Sequence, residues 1–147
     1  MTEIAVEKIL PQYWYKLGEL AHTICFGEFR PESLNRHHFI IGVFGNKELA
    51  GYFTCLEMDS ETAYIQHGGV FPNYEKTVNV VPGYLKMLEL LSQDFKRAWT
   101  RIENKNSSML KMALRAGFII QGVYVFKGKT FVELEVELNK ETLTQEG

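Results

Sequence analysis

The stretch RIENKNSSMLKMALRAGF, residues 101–118, decides the fold that we expect for this chain. It continues an alternating segment, AWTRIE (98–103), which is typical of a β-strand. Asn106 then precedes apolar residues at helical spacing, so its side chain can cap the start of a helix. Gly117 follows that run and can end the helix, because glycine readily adopts the left-handed conformation found there. The stretch therefore predicts a strand, a turn and a helix in succession.

Similar signals recur on both sides of this stretch. Upstream, four alternating or compact apolar runs predict strands, and the periodic segment 83–95 predicts a helix that starts at Gly83. Two proline-led segments, 11–26 and 31–36, predict helices between the first two strands. Downstream, FIIQGVYVF and TFVELEVEL flank the turn KGK and predict an antiparallel hairpin. The predicted fold is a single-domain α+β structure, β-α-α-β-β-β-α-β-α-β-β, with helices flanking a mixed, mostly antiparallel sheet of about seven strands.

Bulk properties limit the classes of protein that this chain can be. A chain of 147 residues predicts one domain, which we place at residues 1–140, followed by a polar tail at 141–147. The net charge of −2 does not favour a nucleic-acid partner. No apolar run reaches about 18 residues, and the amino terminus lacks the features of a signal peptide. We therefore expect a cytoplasmic protein without a membrane span. Cys25 and Cys55 have no metal-type spacing and are expected to be buried thiols.

Three marks in the sequence resemble the GNAT family of N-acetyltransferases. Val-Phe-Pro at 70–72 resembles the V-x-P with which the fourth strand of that family enters its acyl-CoA pyrophosphate loop. The stretch 101–118 is similar to the family's strand, asparagine and helix ending in Gly-Phe. GFIIQGVY at 117–124 is similar to the start of its sixth strand. The element order resembles the family over nearly the whole chain, and the specific motifs span residues 70–122.

This resemblance implies a co-substrate and the residues that would hold it. Members of the family bind acetyl-CoA, without a metal, between their fourth and fifth strands, which splay apart. The pantetheine arm pairs with the fourth strand and contacts the asparagine that begins the fourth helix. The pyrophosphate lies on N–H groups that enter the third helix. The positions that match this binding site are Gly69, Val70, Phe71, Lys76, Gly83 and Asn106.

Two departures set this chain apart from the family pattern. The expected loop, Q/R-x-x-G-x-G/A, is replaced by a longer and degenerate one, which has Glu75 at the basic or amide position and no glycine before Gly83. Pro82 lacks an N–H group, although this loss costs little at the first position of a helix. In addition, Ala113 occupies the position where many members carry a tyrosine that protonates the leaving thiolate.

Three residues are candidates for the proton transfers. His67 on the fourth strand could accept a proton from the amine, since histidine has a pKa of about 6.5, or it could be a structural histidine. Glu103 could be a base or a solvated strand end, and Tyr124 could replace the missing acid. The pair Gly68-Gly69 could mark a bulge that separates the two strands, or a site of close packing. His37 and His38 are adjacent and point to opposite sides of a strand, which argues against a metal pair.

Two functions are compatible with these features. The first is acyl-CoA-dependent N-acetylation of an amine, in which the acceptor is a small molecule or a protein. The second is a non-catalytic GNAT-fold protein with a binding or assembly role, for example of the kind found in phages. In either case, exposed strands of the C-terminal hairpin could pair between two subunits of a homodimer.

Overall fold

The computed structural model of the chain describes residues 3–9, 38–70 and 80–138. Within them, seven strands form one sheet in the order β1-β2-β3-β4-β5-β7-β6. Among these strands β4 and β5 are parallel and all other neighbours are antiparallel, so the sheet is mixed and mostly antiparallel, as predicted. The strands are β1 (Ile4–Lys8), β2 (His38–Gly45), β3 (Glu48–Glu57), β4 (Thr62–Val70), β5 (Arg97–Glu103), β6 (Ile119–Phe126) and β7 (Lys129–Glu137).

Two tight turns join the hairpins of this sheet. Asn46 and Lys47 connect β2 to β3 with φ angles of 51° and 72°, and Lys127 and Gly128 connect β6 to β7 with φ angles of 49° and 78°. Positive φ at both central residues matches the twist of the flanking strands in a two-residue hairpin. The Asn46 side chain also accepts a hydrogen bond from the Glu3 N–H group at 2.8 Å, which holds the start of β1 against the turn. The predicted C-terminal hairpin is confirmed.

Two helices, α1 (Val80–Leu91) and α2 (Ser107–Arg115), cover one face of the sheet. The predicted core stripe of α1 is confirmed, because Met87, Leu88 and Leu91 are buried. The predicted start at Gly83 is wrong, since the helix already includes Val80. A proline and a glycine together suggest a loop, but the first turn of a helix tolerates Pro82 because its N–H group has no partner within the helix.

The core lies between these helices and the face of the sheet that they cover. Along β5 and β7, alternate residues enter it, which is the period of a strand. Aromatic rings bridge the layers: Tyr84 of α1 contacts Phe53 edge to face at 6.0 Å and Phe118 at 6.1 Å, measured between ring centroids. The core residues of β5 and β7 are Ala98, Thr100, Ile102, Leu134 and Val136.

The opposite face of the sheet is called here the second face, and residues 97, 99, 101 and 103 of β5 point toward it. Tyr64 of β4 stacks there on Trp99 with ring centroids 4.3 Å apart. Arg97 donates to the hydroxyl of Thr62 at 3.1 Å and pairs with Glu135 at 3.6 Å. Around β5, the second face is therefore half-buried and aromatic, and it contains several ion pairs.

Several sequence predictions lie outside the described residues. These are the helices at 11–26 and 31–36, the domain boundary at 140 and the burial of Cys25. In the described part of the chain, Cys55 is a buried free thiol, as predicted. No helix there is long and apolar enough to cross a membrane.

Candidate functional site

The pairing between β4 and β5 is short, and both strands run on beyond it. Four residue pairs form the parallel ladder, and the last pair joins Ile65 to Thr100. β4 then continues through residues 66–70 and β5 through residues 101–103, without further pairing between them. The strands therefore separate at their carboxyl ends. We call the opening between these two segments the β4–β5 cleft.

The cleft leaves one edge of β4 open to a ligand. On the other edge, β4 still pairs with β3, from His67 opposite Thr54 to Val70 opposite Gly51. On the cleft edge, no strand within the described residues pairs with residues 66–70. Main-chain N–H and C=O groups point to both edges of a strand. An extended ligand with amide groups can therefore pair with β4 as an added strand would.

An irregularity in β4 lies where the cleft begins. The β3–β4 register shifts there: Cys55 lies opposite Ile65, but Thr54 lies opposite His67, so Gln66 is an extra residue in β4. Such a bulge bends its strand and increases the local twist. The Gln66 side chain is held by His38, with 3.1 Å between Oε1 and Nε2. The bulge thus turns β4 away from β5 beyond Ile65.

The glycines of β4 were predicted to mark either this bulge or a site of close packing. The structure places the register shift at Gln66, one position before His67, and not at the glycine pair. Gly68 faces the core, where an added Cβ atom would lie 2.8 Å from Cδ1 of Phe53. A contact below 3.0 Å forces one of the two groups to move, so a side chain at position 68 would displace the Phe53 ring, and close packing accounts for this glycine.

A buried hydroxyl marks the last point of contact between the two strands. Thr100 is buried, and its side chain donates a hydrogen bond to the main-chain oxygen of Ile65 at 2.9 Å. Beyond it, Arg101 points to the second face and donates to Glu133 of β7 at 3.2 Å. β5 is thus fixed on the side of β7, while no described strand pairs with residues 101–103 on the cleft side.

The structure brings two of the predicted residues, Glu103 and Asn106, to the carboxyl end of β5. Glu103 is half-buried and points to the second face, opposite Phe131 of β7. Its main-chain oxygen accepts a hydrogen bond from the Asn106 N–H group at 2.9 Å. Asn106 caps α2, as predicted, because its Oδ1 atom accepts from the Met109 N–H group at 3.2 Å. α2 therefore begins directly beside the end of β5 that borders the cleft.

His67, Gly69 and Val70 lie on the β4 side of the cleft. Gly69 is opposite Tyr52 in the β3–β4 ladder, and His67 is two positions earlier. The main chain of these residues thus runs along the open edge of β4. Phe71 and Lys76 lie outside the described residues.

Tyr124 lies on the second face, two strands away from β5. It is opposite Phe131, which is itself opposite Glu103, so the three residues form a row across β6, β7 and β5. Neighbouring strands are about 4.8 Å apart, so the Tyr124 backbone is about 10 Å from β5. Its ring contacts the Arg101 guanidinium group, with 4.2 Å between Cζ and the ring centroid. Tyr124 therefore contacts Arg101 of β5 and does not itself border the cleft.

Gly83 has a different environment from that of a glycine in a phosphate-binding loop. It is buried in the first turns of α1 and faces the sheet, where an added Cβ atom would lie 3.3 Å from Cγ1 of Val43. Close packing of helix on sheet therefore accounts for this glycine. The start of α1 is still compatible with an anion, because the N-terminal end of a helix carries a partial positive charge and the first turn of α1 contains no acidic residue.

Position 113, at which the resemblance implies an acid, is occupied by an alanine that packs in the core. Ala113 is fully buried on the face of α2 that contacts the sheet. No described residue of α2 carries a hydroxyl group other than Ser107 and Ser108 at its start. If an acid acts in this protein, α2 does not supply it from position 113.

Sequence reasoning overlooked Arg101, which lies inside the motif that decided the fold. Its guanidinium group lies between Tyr124 and Trp99, 5.3 Å from the Trp99 ring centroid, and pairs with Glu133. The signal was present, because the alternation of AWTRIE places Trp99, Arg101 and Glu103 on one face. The partners on β6 and β7, however, come from strands whose order is not written in the local sequence. Among the described residues, no group of three or more His, Cys, Asp or Glu side chains could hold a metal ion.

The chain thus has a mixed sheet that opens between two parallel strands, β4 and β5, and each of these strands is followed by a helix. This arrangement defines a class of fold. The ribosomal-protein-S18-alanine N-acetyltransferase from Escherichia coli has this fold: the match has a TM-score of 0.74 and 8% identity, and covers 92% of this chain and 94% of that one. A GNAT acetyltransferase from Elizabethkingia anophelis with acetyl-CoA bound matches with a TM-score of 0.67 and 15% identity, over 92% and 98% of the two chains. Arabidopsis thaliana Naa50, in complex with the bisubstrate analogue CoA-Ac-MVNAL, matches with a TM-score of 0.70 and 13% identity, over 91% and 98%.

These matches establish the fold. The chain has the GNAT acetyltransferase fold over nearly its whole length, as its element order predicts. No protein-family model matches the sequence. No curated protein matches it either.

Proposed function

We propose that this chain is an acyl-CoA-dependent N-acetyltransferase that transfers an acetyl group to an amine. The observation that carries the proposal is the β4–β5 cleft, where the ladder ends at Ile65 and Thr100 although both strands continue. Proteins of the same fold have been solved with acetyl-CoA or with bisubstrate analogues, one of which is CoA-Ac-MVNAL. The open edge of β4 and the helix α1 that follows it suit the two polar parts of such a ligand, its amide-containing arm and its diphosphate.

Each part of the chain has a role in this proposal. The main chain of Gly69, Val70 and Phe71 would pair with the pantetheine arm, and Asn106 would contact that arm from the start of α2. Lys76 would attract the diphosphate, together with the N–H groups at the start of α1 near Gly83.

The proposed chemistry is direct transfer. Bound acyl-CoA supplies a thioester whose carbonyl carbon is open to attack by an amine. His67 would accept a proton from the amine as general base, and Glu103 is the second candidate for that role. The nitrogen–carbon bond forms, the carbon–sulfur bond breaks, and the thiolate leaves with a proton from water or from Tyr124. The acceptor is an amine of a small molecule or of a protein.

Ligand binding tests the proposal directly. A ligand present at about 100 times its dissociation constant stabilises a fold by about 2.7 kcal/mol, so acetyl-CoA should raise the unfolding temperature by several degrees. Lys76→Glu should reduce this shift by repelling the diphosphate. Lys47→Glu makes the same charge change in the exposed β2–β3 turn and should leave the shift intact. If millimolar acetyl-CoA produces no shift, the protein does not bind this co-substrate and the proposal fails.

Activity then tests the roles of the residues. Release of free CoA thiol is followed with small amines, lysine and peptides with free amino termini as acceptors. If His67 is the base, His67→Gln should remove the limb of the pH–rate profile that reports its deprotonation. An unchanged profile would exclude His67 from proton transfer.

One observation favours the alternative, a non-catalytic protein with the same fold. The buried Ala113 fills with apolar packing the place where many acetyltransferases carry their acid. If acetyl-CoA binds but no acceptor in the panel increases thiol release, the alternative is supported.

A further inference from the structure

The strand β6 is the outer edge of the sheet, and its apolar side chains are exposed. In the sheet order it lies last, beyond β7. Ile119, Val123 and Val125 are 64%, 67% and 66% exposed, and Ile120 and Phe126 are each 52% exposed. Single exposed apolar residues are ordinary on protein surfaces, but five on one eight-residue strand form a patch. A patch of this kind marks an interaction surface.

The edge lacks most of the features that keep edge strands apart. Proteins usually protect an edge with charged residues, prolines or bulges. The sequence of β6, IIQGVYVF, contains neither a charged residue nor a proline. One bulge is present, because Ile120 lies opposite Leu134 and Gly122 opposite Glu133, which leaves Gln121 as an extra residue. Among the described residues, no strand pairs with the outer edge of residues 122–126, which form an uninterrupted part of β6.

The exposed apolar residues of β6 lie on both faces of the sheet. Val123 lies opposite Val132 on the helix-covered side, whereas Tyr124 lies opposite Phe131 on the second face. Tyr124 also stacks on Phe126, with 6.1 Å between ring centroids. A partner that buries this edge must therefore be a strand with apolar side chains on both faces. β6 itself has this property.

The charges around β6 are complementary for a second copy that runs antiparallel. The basic residues Lys127 and Lys129 lie where β6 turns into β7. At the other end of β6, the adjacent part of β7 carries Glu135, opposite Ile119, and Glu137. A two-fold axis perpendicular to the sheet would bring the basic end of each copy beside the acidic end of the other. The acidic residues lie on β7, two strand spacings or about 10 Å from β6 of the other copy, so this attraction acts at a distance and is strongest at low salt.

We propose that β6 pairs antiparallel with β6 of a second copy of this chain, which joins the two seven-stranded sheets into one continuous sheet. The interface is isologous, since the same strand serves on both sides. The carboxyl-terminal tail is a poor alternative occupant, because NKETLTQEG (139–147) contains a single large apolar residue. The pair of strands alone buries less than the about 1,600 Å² of a standard interface. The dimer is therefore expected to dissociate on dilution, in the micromolar range.

The first test is the oligomeric state of the protein and its response to a charge introduced into β6. Sedimentation velocity of the full chain, from nanomolar to several hundred micromolar, should show a reversible shift from monomer to dimer. Val123→Lys places two lysines at the interface, and should raise the dissociation constant at least about a hundredfold, because like charges across an interface are strongly unfavourable. The matched control is Met58→Lys, which replaces another apolar residue, 47% exposed, next to the β3–β4 connection. It should leave the dissociation constant unchanged, and circular dichroism should show that both variants fold.

A charge exchange provides the second test, and only an antiparallel two-fold pair passes it. Lys127→Glu alone and Glu137→Lys alone should each weaken the dimer severalfold at low salt, because each brings like charges near one another at both ends of the interface. In an equimolar mixture of the two variants, a heterodimer regains opposite charges at both ends. Mixing should therefore restore an affinity close to that of the wild type.

Amide hydrogen exchange locates the interface. Above the dissociation constant, the β6 amides that point away from β7 should exchange more slowly than they do in dilute protein. The proposal is overturned if the protein stays monomeric at all concentrations, if Val123→Lys dimerises as the wild type does, if the charge-exchanged mixture is no tighter than either variant, or if dimerisation leaves the β6 amides unprotected. A monomer whose β6 amides become protected only when an unrelated extended peptide is added also overturns it, since the edge then serves a different partner.

Discussion

Replacement of Tyr84 by phenylalanine should stabilise the protein, because the tyrosine hydroxyl is buried and no described residue forms a hydrogen bond with it. The Tyr84 side chain is fully buried in α1, and its hydroxyl oxygen has no hydrogen-bond partner in the part of the chain that the structure describes. The ring contributes contacts with Phe53 and Phe118, which phenylalanine would keep. A buried polar group without a hydrogen bond costs about 1–3 kcal/mol. We therefore expect Tyr84→Phe to raise the free energy of unfolding by about 1 kcal/mol at neutral pH.

The same substitution should change the response of stability to alkaline pH. Burial raises the pKa of Tyr84 above its ordinary value of 10.0, and the nearby Cys55 thiol adds to the effect. In the unfolded chain this tyrosine loses its proton from about pH 10 upward, whereas in the folded protein it keeps it. Deprotonation therefore favours the unfolded state, and the stability of the wild type falls as the pH rises above 10. At pH 11 this effect amounts to about 1.4 kcal/mol, and Tyr84→Phe removes it.

Urea unfolding at pH 7, 9 and 11 measures both effects. The difference between Tyr84→Phe and the wild type should be about 1 kcal/mol at pH 7 and should grow by about 1.4 kcal/mol at pH 11. Tyr124→Phe is the control, because it removes a hydroxyl from a half-exposed ring on the second face and should have little effect at pH 7. A loss of 1 kcal/mol or more in Tyr84→Phe at neutral pH, relative to the wild type, would show that the hydroxyl has a partner. A difference that stays constant up to pH 11 would show that the phenol ionises within the fold.

Three further predictions concern the packing around the cleft. Gly68→Ala should lower the free energy of unfolding by about 1–3 kcal/mol, because the new methyl group meets Phe53 at 2.8 Å. Gly122→Ala should change it by less than about 0.5 kcal/mol, because no atom lies within 4 Å of the added carbon, and equal effects of the two variants in urea unfolding would contradict this reasoning. Asn106→Ala should cost about 1 kcal/mol through loss of the α2 cap, and Asn106→Asp should restore most of it, with thermal unfolding as the measure; an alanine variant as stable as the wild type would rule out the cap. Burial raises the pKa of the Cys55 thiol to about 12, so Cys55 should resist alkylation in the native protein at pH 8 and should be alkylated in urea. Site-resolved mass spectrometry detects the difference, and rapid labelling of Cys55 in the native protein would refute its burial.

Local patterns predicted the strands and most of the fold. The alternation of TFVELEVEL directed Leu134 and Val136 to the core and the glutamates to the other face, as the structure confirms. The start of α1 was misplaced because Pro82 and Gly83 are common in loops, and only the packing of Gly83 against Val43 shows why a glycine lies in this helix.

The arrangement around the site depends on strand order, which the local sequence does not specify. A hairpin can join a sheet through either of its strands. Here β7 pairs with β5 and leaves β6 at the edge, so Tyr124 lies two strands from β5 and next to Arg101. The same choice leaves Val123 and Val125 exposed at the edge of the sheet. Sequence analysis thus found the elements that border the cleft, while the distances between its candidate residues came from tertiary structure.

The short β4–β5 ladder also has a mechanical consequence. The hydrogen-bonded sheet consists of two plates, β1–β4 and β5–β7, that are joined along a seam of only four residue pairs. Side-chain bonds from Thr100 and Arg97 reinforce that seam on both faces. Opening of the seam would be the least costly way to break the sheet, so those amides of residues 97–100 that bond toward β4, such as that of Arg97, should exchange through a partial opening before global unfolding. A ligand that pairs with β4 in the cleft would lengthen the seam, and would act on the fold as a clamp between its two plates.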